Sequence, residues 1–270
     1  LYQLYKKAYT PWKWFKKLKR VANDTGIMFF ATAFDKTAVD LLENIDVPVH
    51  KIASSELIDL PLIEYMAKTK KPLMLSTGMA SVSEIREAIN TARSAGAKDI
   101  ILLKCISSYP ASPKDMNLRT IPYMEKLFNC HIGLSDHSLG IGVSVVSVSL
   151  GARVIEKHFT ISREVNTPDS FFSIEPYELK SLVENIRVAE KALGRVNYQL
   201  TNREKKSKDF RRSLFVIEDI KKGEIFAEQN VRSIRPAGGI APKYLKVILG
   251  KRAKTDIKRG TPLRRRFVDF

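Results

Sequence analysis

Two of the four histidines in this 270-residue chain stand just past the ends of short apolar runs. "HIGLSDHSLG" (131–140) leads from an apolar stretch into Ser135, Asp136 and His137. "RVIEKHFT" (153–160) leads from Val154-Ile155 into Glu156, Lys157 and His158. Neutral imidazoles ligate divalent first-row metals, and two of them leave several coordination positions open for chemistry. Two histidines are also compatible with ordinary core or surface positions, and their spacing alone leaves both readings open. His50 and His131 fall at or before strand starts and read as structural.

Other reactive groups recur at the same kind of place. Thr32 ends one apolar run; Lys51, Ser54 and Glu56 follow another. Ser76 and Thr77, then Lys104, Ser107 and Tyr109, close two more, and Ser135 and Glu156 precede the histidine pair. Any single serine or threonine here is an ordinary helix cap or strand end. Six consecutive strand ends carrying polar groups suggest one rim. Lys104 can face either the interior or a surrounding layer of helices, and Glu56 can instead support the helix beginning near Asp59.

The runs that deliver these groups are "IMFFAT" (27–32), "VPVHKIAS" (47–54), "KPLMLST" (71–77), "DIILLKC" (99–105), "HIGLSD" (131–136) and "ARVIEKH" (152–158). They are continuously apolar rather than alternating, as in parallel strands buried on both faces. Helical patterns separate them, including "SVSEIREAINTARSAGA" (81–97), with a capping box from Ser81 or Ser83 to Glu84, and "EPYELKSLVENIRVAEKAL" (175–193). An open doubly wound sheet concentrates function at one switch point, whereas a closed barrel sends every strand's C-terminal end to one face. The expectation is a (β/α)8 TIM barrel lacking its first βα units. Six units are present; two more, roughly 60–80 residues by the usual barrel length of about 250, would have to precede Leu1.

Composition narrows the function classes. The apolar fraction, 44%, suffices for a sizeable core. No apolar run reaches the roughly 18–20 residues of a membrane helix, and the N-terminus lacks a signal-peptide apolar segment. Two cysteines form no disulfide framework and suit a reducing cytoplasm; Cys105 reads as a small buried hydrophobe. The net charge of +17 favours anionic partners. Its lysines and arginines are dispersed and no nucleic-acid-binding motif accompanies them, so nucleic acid is not expected as a partner.

After Gly194 the pattern changes. Residues 195–212 read as a polar linker, and 213–270 as a small β-rich domain with an internal repeat. Asp219-Ile220-Lys221-Lys222-Gly223 matches Asp256-Ile257-Lys258-Arg259-Gly260, implying pseudo-twofold symmetry.

"KIASSELIDLPLIEYMA", "LSTGMAS", "LLKCISSYPA", "GLSDHSLG", "VIEKHFT" and Pro168-Asp169 occur in the order and near the spacing of the sialic acid synthase family. The chain resembles that family over essentially its whole length, and its tail resembles the antifreeze-like (SAF) domain. "AYTPWKWFKKL" and "MNLRTIPYM" look most like the pseudaminic acid synthase branch. The resemblance implies condensation of phosphoenolpyruvate with an open-chain N-acetylated amino sugar. In that branch the sugar is 2,4-diacetamido-2,4,6-trideoxy-altrose. It implies Mn²⁺ or another divalent metal on His137 and His158, and phosphoenolpyruvate on Thr32, Lys51, Ser54, Ser76, Ser107 and Ser135. It further implies a catalytic role for Glu56 and sugar contacts from Tyr109, Asp169 and Arg235, the last reaching the partner's site in a domain-swapped homodimer.

This chain departs from the family at Ser107, where asparagine is common, at Ala33 in place of proline, and at Thr167 in place of glycine. The family's first strands carry a catalytic glutamate and a phosphate-binding lysine that this sequence does not contain. An open barrel exposes unpaired edges, so the expectation is a poorly folded or inactive fragment of an active synthase.

Overall fold

The computed structural model describes residues 2–165 and 167–270; Leu1, with which the barrel domain is expected to begin, lies outside them. The chain divides into two compact units, the first ending at Gly194 and the second beginning at Arg195.

The first unit begins with helices α1 (Tyr2–Ala8), α2 (Trp12–Asp24) and α3 (Lys36–Asn44). Strand and helix then alternate: β1 (His50–Ile52), α4 (Leu60–Ala67), β2 (Leu73–Ser76), α5 (Val82–Ser94), β3 (Ile100–Cys105), α6 (Thr120–Phe128), β4 (His131–Asp136), α7 (Gly142–Ser149), β5 (Ile155–Lys157) and α8 (Pro176–Leu193). All five strands are parallel and lie in sequence order, the arrangement that successive right-handed βαβ crossovers produce.

Local chemistry explains the helix starts. The Asp35 and Asp59 carboxylates accept the Ala38 and Leu62 amides, each satisfying a donor that a helix leaves free. Ser81 and Glu84 close the reciprocal box at the start of α5, resolving the sequence alternative in favour of Ser81. Asn129, left-handed at φ +51°, ends α6. The core lies between the outer face of the sheet and the helices. Ile52, Leu73, Leu75, Leu102 and Ile132 meet α5 residues Ile85, Ala88, Ile89 and Ala92, spaced to share one helical face.

One expectation is corrected. Residues 27–32 do not form a full sixth strand: only Thr32 pairs with Lys51, and Ile27 and Met28 are 64% and 78% exposed. A strand at a sheet edge has one neighbour instead of two, and among the described residues nothing pairs with the outer side of this run.

The second unit contains α9 (Asn202–Ser207), β6 (Ser213–Val216), β7 (Val231–Ile234), α10 (Leu245–Ile248), β8 (Arg252–Ala253) and β9 (Val268–Asp269). The segment read as a linker thus contains α9, fixed at its start by a Thr201–Glu204 capping box. The sequence repeat is reciprocal in space. The Lys222 amide donates to Asp256 (2.9 Å) and the Arg259 amide to Asp219 (2.8 Å). Ile220 and Ile257 exchange both backbone hydrogen bonds, and Gly223 and Gly260 close their turns at φ +84° and +83°, a conformation glycine adopts without steric cost.

Candidate active site

Register carries the site. Cys105 pairs with Ser135, and Ser135 with Glu156; because side chains alternate along a strand, all three emerge on one face at the strands' C-terminal ends. With Thr32, Lys51, Ser54, Ser76, Tyr109, His137 and His158 they line a cavity of about 320 Å³. Eight residues expected from sequence therefore share one cavity.

Lys51 anchors its floor. The ammonium, 4% exposed, donates to Ser76 Oγ at 2.8 Å and to the Ile52 carbonyl at 3.0 Å, and stands 3.5 Å from Glu156. Ser135 Oγ donates to the other Glu156 oxygen at 2.6 Å. A buried cation flanked by hydroxyls suits a phosphate or carboxylate.

The two imidazole rings are 5.2 Å apart, centroid to centroid, with an interplanar angle of 67°. His137 Nδ1 contacts the Ile106 carbonyl at 2.8 Å, which makes that nitrogen the donor and leaves Nε2 with its lone pair. His158 Nδ1 stands 3.5 Å from Asp169, and Tyr109 and the buried Phe172 pack against its ring. Burial acts to lower both basicities. For His137 the Cys105 thiol and the Ile106 carbonyl outweigh it and the net shift is upward; for His158 burial wins over Asp169 and the net shift is downward. Among the described residues no third histidine, cysteine or carboxylate joins the pair in a three-ligand cluster. Two imidazoles are donors that suit a divalent first-row ion, and His137 and His158 are the residues that would hold it.

Gly78 forms a cradle beside the cavity. A Cβ there would collide with Ser107 Oγ and lie 2.8 Å from Ser54 Oγ, and the Gly78 amide donates to Ser54. Ser107 Oγ is buried without a partner, as is Glu56 Oε2. Burial raises the Glu56 pKa above the ordinary carboxylate value, with Lys51 pulling against it. Glu56 does not cap α4, since Asp59 does.

Glu56, Ser107 and Asp169 do not line the cavity itself; Asp169 adjoins it through His158. Arg235 lies in the second unit, exposed just beyond β7. Lys104 faces the helices. Three residues carry weight that sequence reasoning did not assign. Glu156 was visible only as a strand-end carboxylate. Cys105, read as a hydrophobe, lines the cavity with its thiol 4.0 Å from His137, and that contact, with the nearby Ser54 and Ser135 hydroxyls, holds its pKa below the usual thiol value against the raising effect of burial. Asp136 is buried on the opposite face, where its carboxylate accepts from the Ser138 amide and hydroxyl, from Ser144 and from Lys157 at 2.9 Å. That network fixes the turn carrying His137.

A parallel β/α unit gathers a buried lysine, several hydroxyls and an imidazole pair at its strand ends, the place where barrel enzymes carry their sites. The comparisons with known proteins agree. Residues 1–198 match the NeuB family and residues 211–266 match the SAF domain, and the chain belongs to the NeuB family. It is 42% identical over 264 residues to the pseudaminic acid synthase of Campylobacter jejuni subsp. jejuni serotype O:2, covering 98% of this chain and 77% of that protein. It is 40% identical over 265 residues to the N,N'-diacetyllegionaminic acid synthase of the same organism, covering 97% and 79%. Among solved structures, the spore coat polysaccharide biosynthesis protein SpsE of Bacillus subtilis superposes with a TM-score of 0.67 at 32% identity, covering 97% of this chain and 79% of that one.

Proposed function

We propose that the reaction this site serves is that of a pseudaminic acid synthase. Carbon 3 of phosphoenolpyruvate attacks the aldehyde of 2,4-diacetamido-2,4,6-trideoxy-altrose, water adds at carbon 2, and phosphate departs with C–O cleavage. The products are a nine-carbon 2-keto acid and phosphate. The observation that carries this reading is Lys51, Ser54, Ser76 and Ser135 sharing one cavity with two imidazoles 5.2 Å apart.

Lys51 and the hydroxyls of Thr32, Ser54, Ser76, Ser107 and Ser135 hold the phosphate and carboxylate of phosphoenolpyruvate. Their mixture of one cation and several neutral donors grips the anion without trapping the departing phosphate. Glu56, whose burial favours the protonated form, moves a proton in the water-addition step. Tyr109 and Asp169 position the sugar over the imidazoles, and Arg235 adds a planar fork for acyl or hydroxyl oxygens. A second copy of the chain supplies Arg235, in a domain-swapped homodimer. His137 and His158 hold a divalent ion, Mn²⁺ in this reading, which when bound polarises the sugar aldehyde. The reaction is placed in the cytoplasm in this reading; among the described residues no helix is long and apolar enough to cross a membrane.

The test is phosphate release from phosphoenolpyruvate with Mn²⁺, offering the diacetamido-trideoxy-altrose and, in parallel, N-acetylmannosamine and the diacetylated legionaminic precursor. Release with the altrose sugar alone supports the proposal. Release with another acceptor moves the chain to the neuraminate or legionaminate branch, and no release with any of them refutes catalysis by this chain.

A further inference from the structure

Adjacent residues of β3 point to opposite faces. Cys105 lines the catalytic cavity, whereas Lys104 lines a second and larger one, about 850 Å³, bounded by the start of α5 and the length of α6. Lys104 is 9% exposed. Its ammonium donates to the Cys105 carbonyl at 3.1 Å, and no carboxylate of the described residues bears on it. An ammonium has three donors, and a buried charge without a counter-charge is costly. The catalytic reading gives this lysine nothing to do.

The surroundings have one sign. Lys114 and Arg119 stand exposed on the same cavity wall, Asn117 adds an amide, and none of the lining residues is acidic. Apart from the Thr77 and Thr120 hydroxyls the rest is apolar, with Met124 and Phe128 buried and the Tyr123 ring open to solvent. Such a lining selects a small molecule with an anionic head and an apolar body. Burial pushes the Lys104 pKa down, and a bound anion would reverse that push.

We propose that this cavity is a second binding site, separate from the catalytic one, for a small organic anion. The ligand class is a phosphate monoester or carboxylate bearing an aromatic or alkyl group. Lys104 is its buried counter-charge, and Lys114 and Arg119 are the exposed cations that complete the recognition. The two sites stand back to back across β3, one residue apart at Lys104 and Cys105.

The experiment uses the 270-residue chain with ¹³C-methyl methionine, the Met124 signal being assigned from Met124→Leu. Phenyl phosphate is titrated against the native chain and against Lys51→Met, which removes the catalytic anion anchor. A saturable Met124 shift is expected in both, weakened at least tenfold in Lys104→Met, Arg119→Gln and Lys114→Gln. Inorganic phosphate is expected to bind more weakly than phenyl phosphate. A Met124 signal that does not move overturns the proposal, as does one that moves with unchanged affinity in Arg119→Gln and Lys114→Gln. Those two residues are exposed, so the result stands even if Lys104→Met fails to fold. Equal affinity for the two phosphates would overturn the apolar half of the assignment. None of these readouts depends on catalysis, so failure of the synthase reading leaves them interpretable.

Discussion

Glu56 and His50 are titratable groups whose pKa values desolvation moves in opposite directions. Glu56 has a buried oxygen without a partner and a carboxyl whose pKa burial raises. A carboxyl with a raised folded pKa costs stability as pH climbs from the unfolded value of about 4.3 through the folded one. Glu56→Gln is therefore expected to raise the urea midpoint at pH 7.5 while lowering phosphate release at least tenfold; a lower midpoint would contradict this account. His50 is buried against Glu43 at 2.9 Å, and desolvation lowers its pKa although Glu43 opposes it. Its neutral form is favoured by folding, so its contribution is complete above about pH 6.5 and is lost as pH falls toward the folded value. Urea midpoints measured from pH 7.5 to 5.0 should fall less steeply for His50→Gln than for the native chain.

At the scale of elements, the site depends on strand ends and the turns that follow them. The Asp136 network behind His137 is a buried carboxylate with four donors, one of them the buried Lys157. Asp136→Asn removes the partner charge and is expected to destabilise the unit by about 3–5 kcal/mol. Ser81→Ala, which removes one capping bond of α5, should cost about 1 kcal/mol. Chemical denaturation of both variants checks the order, and a smaller loss for Asp136→Asn would place its weight elsewhere. The parallel β/α order was legible from the continuous apolar runs, and the α5 start from its Ser-x-x-Glu spacing. Eight of the expected site residues meet in one cavity because strand-end polarity encodes which face they share. Two things were not legible. The run 27–32 looks like its neighbours, since apolar composition records burial but not the presence of a pairing partner. Cys105 and Lys104 could not be assigned faces, because a strand buried on both sides loses the alternation that would tell inside from outside.

For the whole molecule the dominant fact is a net charge of +17. With Lys51 at the cavity floor and an anionic substrate proposed, the field of the protein should raise the encounter rate. The expected result is that kcat/KM for phosphoenolpyruvate declines from 20 to 300 mM salt while kcat changes little, since screening acts on approach rather than on contacts within the site. Equal decline of both parameters would place the salt effect in the chemistry.

The reciprocal turns of the second unit have a kinetic consequence. Each aspartate secures the turn of the other half, Asp219 at Arg259 and Asp256 at Lys222, so neither turn can open while the other keeps both of its anchors. Local fraying is thereby converted into a concerted event. The amide hydrogens of Lys222 and Arg259, more than thirty residues apart, should exchange with solvent at one common rate, and Asp219→Asn should accelerate both together.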